Sequence, residues 1–192
     1  MIKNISIIIP VYNSDKSLLE LEKKIKNELY YKNKIQYEII FVNDFSTNVQ
    51  TSKILNKLKS KNIKIINLKK NNGQHYATLI GLLFAKNNIL VTMDDDLQHH
   101  PKYIIHMVKH LNSKNLEVVF GKFKKKKHPF FKNIFSKINN FFIKKIFNLN
   151  NKFEISSFRV IKKTLAKKLI NSKIYNAYIG CMILNATDKI DN

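Results

Sequence analysis

Ile89-Leu90-Val91-Thr92-Met93-Asp94-Asp95-Asp96-Leu97-Gln98-His99-His100-Pro101 decides how this chain is read. Five residues suited to a buried strand run directly into three consecutive aspartates, and a proline soon afterwards opens the next helix. Like charges side by side repel, and an acidic strand tip gains nothing in packing. A divalent cation resolves the repulsion, and hard oxygen ligands suit Mg²⁺ or Mn²⁺, which complete their shells with phosphate oxygens. The competing reading is a solvated helix N-terminus, where acids suit the macrodipole. The chain has only 13 acidic residues, so three together at one strand end favour the cation. His99 and His100 add a metal-ligand reading, although adjacent side chains seldom converge and at most one is expected at such a site. His75, His106, His110 and His128 show no ligand spacing.

Working outward, the alternation repeats. Residues 5–10, 37–42, 63–68 and 116–120 are short, apolar and rich in β-branched side chains; with 89–93 they predict five strands. Between them, residues 15–31, 49–60, 74–86 and 101–112 carry apolar side chains at helical spacing, with Ser14 or Asp15 as cap of the first helix. Ala77, Gly81 and Ala85 put a small-residue stripe on the third helix, which allows close packing on a sheet. Buried strands alternating with helices predict an α/β fold: a mainly parallel sheet with helices on both faces. Ligands of such sheets bind beyond the carboxyl ends of the strands. The sequence places Asn13, Asn43-Asp44, Asn71-Asn72 and Asp94-Asp95-Asp96 there, so four strand ends converge on one polar, acidic rim.

The 192 residues fit one domain, and 44% hydrophobic residues can form a core despite a formal charge of +22. The single cysteine, Cys181, excludes a disulfide scaffold and a cysteine-based zinc site. Gly73, Gly81, Gly121 and Gly180 are too far apart for a G-x-G-x-x-G or Walker A loop. No apolar run reaches the roughly 18–20 residues of a membrane span. Pro10 cuts short the apolar stretch at 5–9 before it can serve as a signal peptide. A cytoplasmic protein, soluble or peripheral, is the expectation. The charge is uneven: residues 122–192 hold 17 of the 35 basic and 3 of the 13 acidic residues, or +14. Of the basic residues 34 are Lys, as the codon bias of an AT-rich genome would produce, which makes the lone Arg159 informative. A retained arginine suits a planar, bidentate contact.

Ile7-Ile8-Ile9-Pro10-Val11-Tyr12-Asn13, Val42-Asn43-Asp44-Phe45-Ser46-Thr47 and Met93 to Pro101 resemble the nucleotide-sugar domain of family 2 glycosyltransferases, which has the GT-A fold. The last segment, with Lys102-Tyr103-Ile104, is most similar to the dolichyl-phosphate mannose synthase branch, whose bacterial relatives load sugars onto undecaprenyl phosphate. Asn72-Gly73-Gln74 with Ala77, Gly81 and Ala85 follows the same branch. The resemblance covers residues 4–187, and four motifs in order and spacing make it specific. It implies a nucleoside diphosphate sugar donor and Mg²⁺ or Mn²⁺ as cofactor. Pro10, Val11, Tyr12 and Asn13 would floor the base and ribose, with Gly73 in the same nucleotide site, and Asp44 would hydrogen-bond the base. Asp94 would sit near ribose and metal, Asp95 would belong to the nucleotide site, and Asp96 and Gln98 would bind the metal. Asp96 and Arg159 are the catalytic residues this implies, the cation neutralising charge that develops on the departing nucleoside diphosphate.

After Gly121 comes the run Lys122-Phe123-Lys124-Lys125-Lys126-Lys127. The plain reading is a solvated loop; the functional one has Lys122 and Lys124 at phosphates of donor, acceptor or lipid headgroup. Arginines usual at this place in the branch are lysines here, which act as point charges and not as bidentate forks. Residues 130–147 align Phe131, Ile134, Phe135, Ile138, Phe142 and Ile146 on one helical face, expected to pack on the domain or to lie on an anionic membrane surface. Ser156-Ser157-Phe158-Arg159 resembles the Phe-Arg segment of the branch, which implies phosphate contacts for Ser157 and Arg159. Ser157 stands where an acid is frequent. A sugar hydroxyl acceptor needs a general base, and between the Asp triplet and residue 187 only Glu117 and Glu154 are acidic. An ionised phosphate acceptor needs none, which favours a lipid phosphate.

The expectation is a nucleotide-sugar-binding core at 1–121 and a basic acceptor- or membrane-facing part of the same domain at 122–192. The second part is C-terminally short beside the family, whose members carry a further basic, aromatic segment and often two membrane spans. The activity expected is inverting, metal-dependent transfer of one sugar to a polyprenyl phosphate by a cytoplasmic protein peripheral on the inner membrane, alone, as a homo-oligomer or with a membrane-protein partner. The alternatives are transfer to a saccharide hydroxyl, a silent nucleotide-sugar-binding remnant or partner subunit, and a basic nucleic-acid binder. No base-stacking motif or helix-turn-helix spacing supports the last, so no nucleic acid is expected.

Overall fold

The computed structural model describes residues 4–122, 143, 145–147, 149–150, 152–174 and 178–192. In chain order the elements are β1 (Asn4–Val11), α1 (Ser17–Lys26), β2 (Gln36–Asn43), α2 (Val49–Leu58), β3 (Ile63–Asn67), α3 (Gln74–Phe84) and β4 (Ile89–Thr92). There follow α4 (Ile104–Ser113), β5 (Val118–Phe120), β6 (Arg159–Lys162), α5 (Lys163–Asn171), α6 (Ile179–Ala186) and β7 (Ile190–Asp191). They build one sheet in the order β3-β2-β1-β4-β6-β5-β7. The four strands that bear the acidic rim are parallel, with Ile7 of β1 opposite both Ile39 and Val91.

Alternation along β1 explains the layers. Ile5, Ile7 and Ile9 join one core with Leu18, Leu21, Phe41, Leu55, Val108 and Leu111, under α1, α2 and α4. Ile8, Ile40 and Val42 face the opposite core, with Ala77, Leu82, Leu165 and Ile183 of α3, α5 and α6. Gly81 sets the approach of α3, because a Cβ there would lie 2.3 Å from Ile8 Cγ2. The expected small-residue stripe is therefore a packing surface, and it fixes the head of α3 at the rim.

Several elements differ from expectation. The strand at Val118–Phe120 does not lie beside β4; β6 stands between them, antiparallel to both. Thr92 and Phe120 thereby both pair with Arg159. Neither β6 nor β7 is evident from sequence, since Arg-Val-Ile-Lys is short and Ile-Asp is two residues long. The first helix continues past α1 as a π-helical stretch, Asn27–Lys32. Lys16 occupies its N-terminal cap position, while the Asp15 carboxylate accepts from the Ser17 N–H at 3.1 Å. The fourth helix opens with a 3-10 turn, Pro101–Tyr103, capped by His100. Lys124 and most of the amphipathic stretch at 130–147 lie outside the described residues. Of that stretch Ile143 and Phe147 pack on the second core, and Ile146 is 73% exposed. Among the described residues no helix is long and apolar enough to cross a membrane.

Candidate functional site

Each loop at the carboxyl end of β1 to β4 contains one left-handed residue: Asn13 (φ 53°), Phe45 (φ 60°), Gly73 (φ 86°) and Leu97 (φ 63°). Such conformations disfavour side chains other than glycine and asparagine, so Phe45 and Leu97 are held there by their surroundings. Side-chain hydrogen bonds between the loops supply that constraint. Asn13 Oδ1 accepts from the N–H groups of Thr47 (2.9 Å) and Asn48 (3.0 Å), tying the β1 loop to the β2 loop. Asp44, 2% exposed, accepts from the N–H groups of Asn72 and Gly73, both at 2.8 Å, tying the β2 loop to the β3 loop. Gln74 Nε2 donates to Asp94 Oδ1 at 2.5 Å, and Ser157 Oγ donates to Asp94 Oδ2 at 2.6 Å. These two bonds join the head of α3, the end of β4 and the approach to β6.

The three aspartates take different directions. Asp94 faces α3 and Ser157. Asp95 accepts a hydrogen bond from Ser14 Oγ, and burial pushes its carboxyl above the usual range, which the Ser14 bond opposes. Asp96 is exposed, and its Oδ1 accepts from the Gln98 N–H at 3.0 Å. The histidines hold backbone: His99 Nδ1 accepts the Asp94 N–H at 2.9 Å while its ring stacks on Phe158, and His100 Nδ1 accepts the Lys102 N–H at 3.2 Å. Among the described residues no three His, Cys, Asp or Glu side chains form a metal cage. The oxygens on offer are those of Asp96, Asp94 and Gln98. An open, hard-oxygen set of this kind fits Mg²⁺ or Mn²⁺, whose remaining positions go to water and phosphate.

Arg159 lies inside the site and not on its rim. It is 3% exposed and lines a small pocket with Gln74, His75, Thr92, Asp94 and Ser157. Its Nε donates to the Ser156 carbonyl at 2.9 Å, while its buried Nη1 has no hydrogen-bond partner among the described residues. Burial pulls the guanidinium down to about 10, against the attraction of Tyr178 and Asp94. His75 is held below its ordinary value by burial first and by Arg159 second. The Tyr178 ring meets His75 edge-on at 4.9 Å, and burial raises its phenol.

Pro10 lines the same pocket and Val11 is buried, whereas Tyr12 offers an exposed ring at the mouth of β1. Lys122 is exposed just beyond Gly121. The structure thus brings Pro10, Asn13, Asp44, Gly73, Asp94, Asp96, Ser157 and Arg159 to one end of the sheet. Sequence reasoning missed the supporting roles of Ser14, Gln74 and His75. A signal existed for two of them: Ser14 follows Asn13 at the rim and Gln74 opens the helix after Gly73, places where a polar side chain faces a neighbouring loop.

Comparison with known proteins agrees with this fold. The sequence profile of glycosyl transferase family 2 matches residues 6–170. A glycosyltransferase of Bacillus subtilis (strain 168), YkcC, described as uncharacterized, is 28% identical over 181 residues, covering 93% of this chain and 55% of its own. Residues 1–349 of Staphylococcus aureus TarS superpose with a TM-score of 0.68 at 19% identity, over 97% of this chain and 57% of that one. TarS has been solved with UDP and with UDP-GlcNAc. The mannosyltransferase PcManGT of Pyrobaculum calidifontis, solved with GDP-Man and Mn²⁺, has a TM-score of 0.59 at 17% identity over 86% of this chain and 46% of its own. The chain spans about half the length of these relatives. The fold is GT-A-like, and the chain belongs to glycosyl transferase family 2.

Proposed function

We propose that this chain carries the donor site of an inverting, metal-dependent glycosyltransferase that moves one sugar from a nucleoside diphosphate sugar to a polyprenyl phosphate at the cytoplasmic face of a membrane. The observation that carries the reading is the division of the aspartates: Asp94 is braced between Gln74 and Ser157 at 2.5 and 2.6 Å, while Asp96 is left exposed beside Gln98. Asp96, Asp94 and Gln98 would hold the metal. When bound, the cation supplies charge neutralisation for the leaving diphosphate. Pro10, Val11, Tyr12 and Asn13 floor the nucleotide, and Asp44 orders the Asn72-Gly73 turn against the base. Arg159 offers Nη1 to a phosphate oxygen at the floor of the pocket, with Ser157 beside it. Lys122, exposed beyond Gly121, attracts phosphate, and Lys124, outside the described residues, is assigned the same role from sequence.

The acids of the described residues support this acceptor. Glu117 stands before β5, at the end of the sheet away from the rim, and is held by Lys168 at 3.3 Å. The Glu154 main chain is tied to Asn192. Asp191 is paired with His110 and Lys114, both at 2.9 Å. Among the described residues Asp94 and Asp95 accept side-chain hydrogen bonds, and Asp96 is assigned to the metal, which supports an acceptor that arrives ionised. Transfer to a saccharide hydroxyl is the second reading, and an acceptor assay separates the two.

Calorimetric titration with UDP and GDP in the presence of Mn²⁺ tests the donor site. The wild type should bind one of them in a metal-dependent way, and Asp96→Ala should lose the metal-dependent part. Absence of binding to either nucleotide removes the enzyme reading.

A further inference from the structure

We propose that Asp95 is a positioning residue that, through Ser14, couples the loop flooring the nucleotide to the loop presenting Asp94 and Asp96. The inference rests on the donor-site reading above and adds a role for the middle aspartate. Its carboxylate does not join its neighbours at the rim. It is half-buried and receives the Ser14 hydroxyl, 81 positions away in sequence. Ser14 is itself anchored from the other side: its main-chain carbonyl accepts from Thr51 Oγ1 at 2.5 Å, and Thr51 is fully buried in α2. Ser14 directly follows Tyr12 and Asn13, and Asn13 Oδ1 gathers the backbone of the β2 loop. One continuous path of hydrogen bonds therefore runs from the first turn of α2, through the nucleotide floor, to the centre of the aspartate triplet.

This path resolves the charge problem of the triplet. Three carboxylates pointing outward would repel one another at the rim. With Asp95 turned onto a hydroxyl, Asp94 turned onto Gln74 and Ser157, and Asp96 left outward, each carboxylate has its own surroundings. The left-handed residue Leu97 follows Asp96 directly and ends a run of bends at 95–97. The Ser14 bond thus fixes the rotation of the whole loop and with it the direction of Asp96. Nucleotide seated on Tyr12-Asn13 orders Ser14, Ser14 holds Asp95, and Asp95 sets Asp96 for the metal. Binding of base and metal are linked, and by reciprocity each strengthens the other.

The test measures UDP and GDP dissociation constants with Mn²⁺ and with EDTA for the wild type, Asp95→Ala, Asp95→Asn, Ser14→Ala and the Ser14→Ala/Asp95→Ala double variant. Asp95→Ala and Ser14→Ala should each weaken Mn²⁺-supported binding about tenfold, the size of a coupling carried by one hydrogen bond to a charged group. Binding in EDTA should change by less than about twofold. Asp95→Asn keeps an accepting oxygen and should recover most of the affinity. The double variant should be no worse than either single one, because both remove the same bond. Wild-type affinity in Asp95→Ala overturns the inference while leaving the donor site intact. Losses that multiply in the double variant, or an Asp95→Asn as weak as the alanine, also overturn it. A wild type that binds neither nucleotide overturns the inference together with the reading beneath it.

Discussion

Replacing Arg159 with methionine should change stability by no more than about 2 kcal/mol, while removing most of the activity. The guanidinium is 3% exposed, and burial lowers it from its ordinary value to about 10. At about 1.4 kcal/mol for each tenfold change, that fall corresponds to about 3 kcal/mol. The sign follows from the charge states. A base with a folded value below its unfolded one is destabilising wherever both forms are charged, so the cost is fully present below about pH 10. It fades above that, as the folded form gives up its proton before the unfolded form does. At neutral pH the charge therefore opposes folding. Against this, the variant loses the Nε bond to the Ser156 carbonyl, worth about 1.5–3 kcal/mol for a charged donor. It loses nothing at Nη1, which has no partner among the described residues. The variant also loses the cation–π contact of the guanidinium with the Phe120 ring, 5.7 Å from its centroid and worth about 0.5–2 kcal/mol, so the balance lies within about 2 kcal/mol of the wild type, read as a small shift in urea midpoint at unchanged slope. Activity should fall about 100-fold or more, as when one donor to a developing negative charge is removed. A variant destabilised by more than about 3 kcal/mol would make Arg159 a structural residue. A stable and fully active one would contradict its place in the chemistry.

Gly81→Ala adds a methyl 2.3 Å from Ile8 Cγ2 and 3.2 Å from Val42 Cγ2. Although alanine favours helix, overpacking should lower stability by about 1–3 kcal/mol in urea melts, and the shift of α3 should draw Gln74 from Asp94 and weaken nucleotide binding; a gain in stability contradicts the packing described. Flotation with anionic vesicles should recover less of a Phe135→Ser/Ile138→Ser/Phe142→Ser variant than of the wild type. The exposed Ile146 continues the same apolar series, and equal recovery counts against a membrane-facing stretch.

The parallel half of the sheet is legible in sequence because β1, β2 and β4 bury both faces: Ile7, Ile39 and Val91 declare themselves without reference to one another. The acidic rim is legible because Asp44 and Asp94-Asp95-Asp96 break those apolar runs at their ends. β6 is not legible, because Arg159–Lys162 reads as a short segment with charged ends, and its place between β4 and β5 depends on pairings about 40 and 70 residues distant. The division of labour among the aspartates is also hidden. It depends on loop conformations, left-handed at Asn13 and Leu97, that turn Asp95 toward Ser14. A residue type shows what a side chain can do; only the loop shows which neighbour it meets. For Arg159 the sequence pointed to the right place in the chain, but its scarcity could not reveal that it is buried with a free nitrogen.

The acceptor is the central claim, and a transfer assay tests it most directly. Radiolabelled UDP- and GDP-sugars are incubated with the protein and Mn²⁺, in parallel with undecaprenyl phosphate in detergent micelles and with soluble saccharides. The account predicts label in the lipid phase, dependent on Mn²⁺ and absent with Asp96→Ala. Label on saccharide with none on lipid would contradict it.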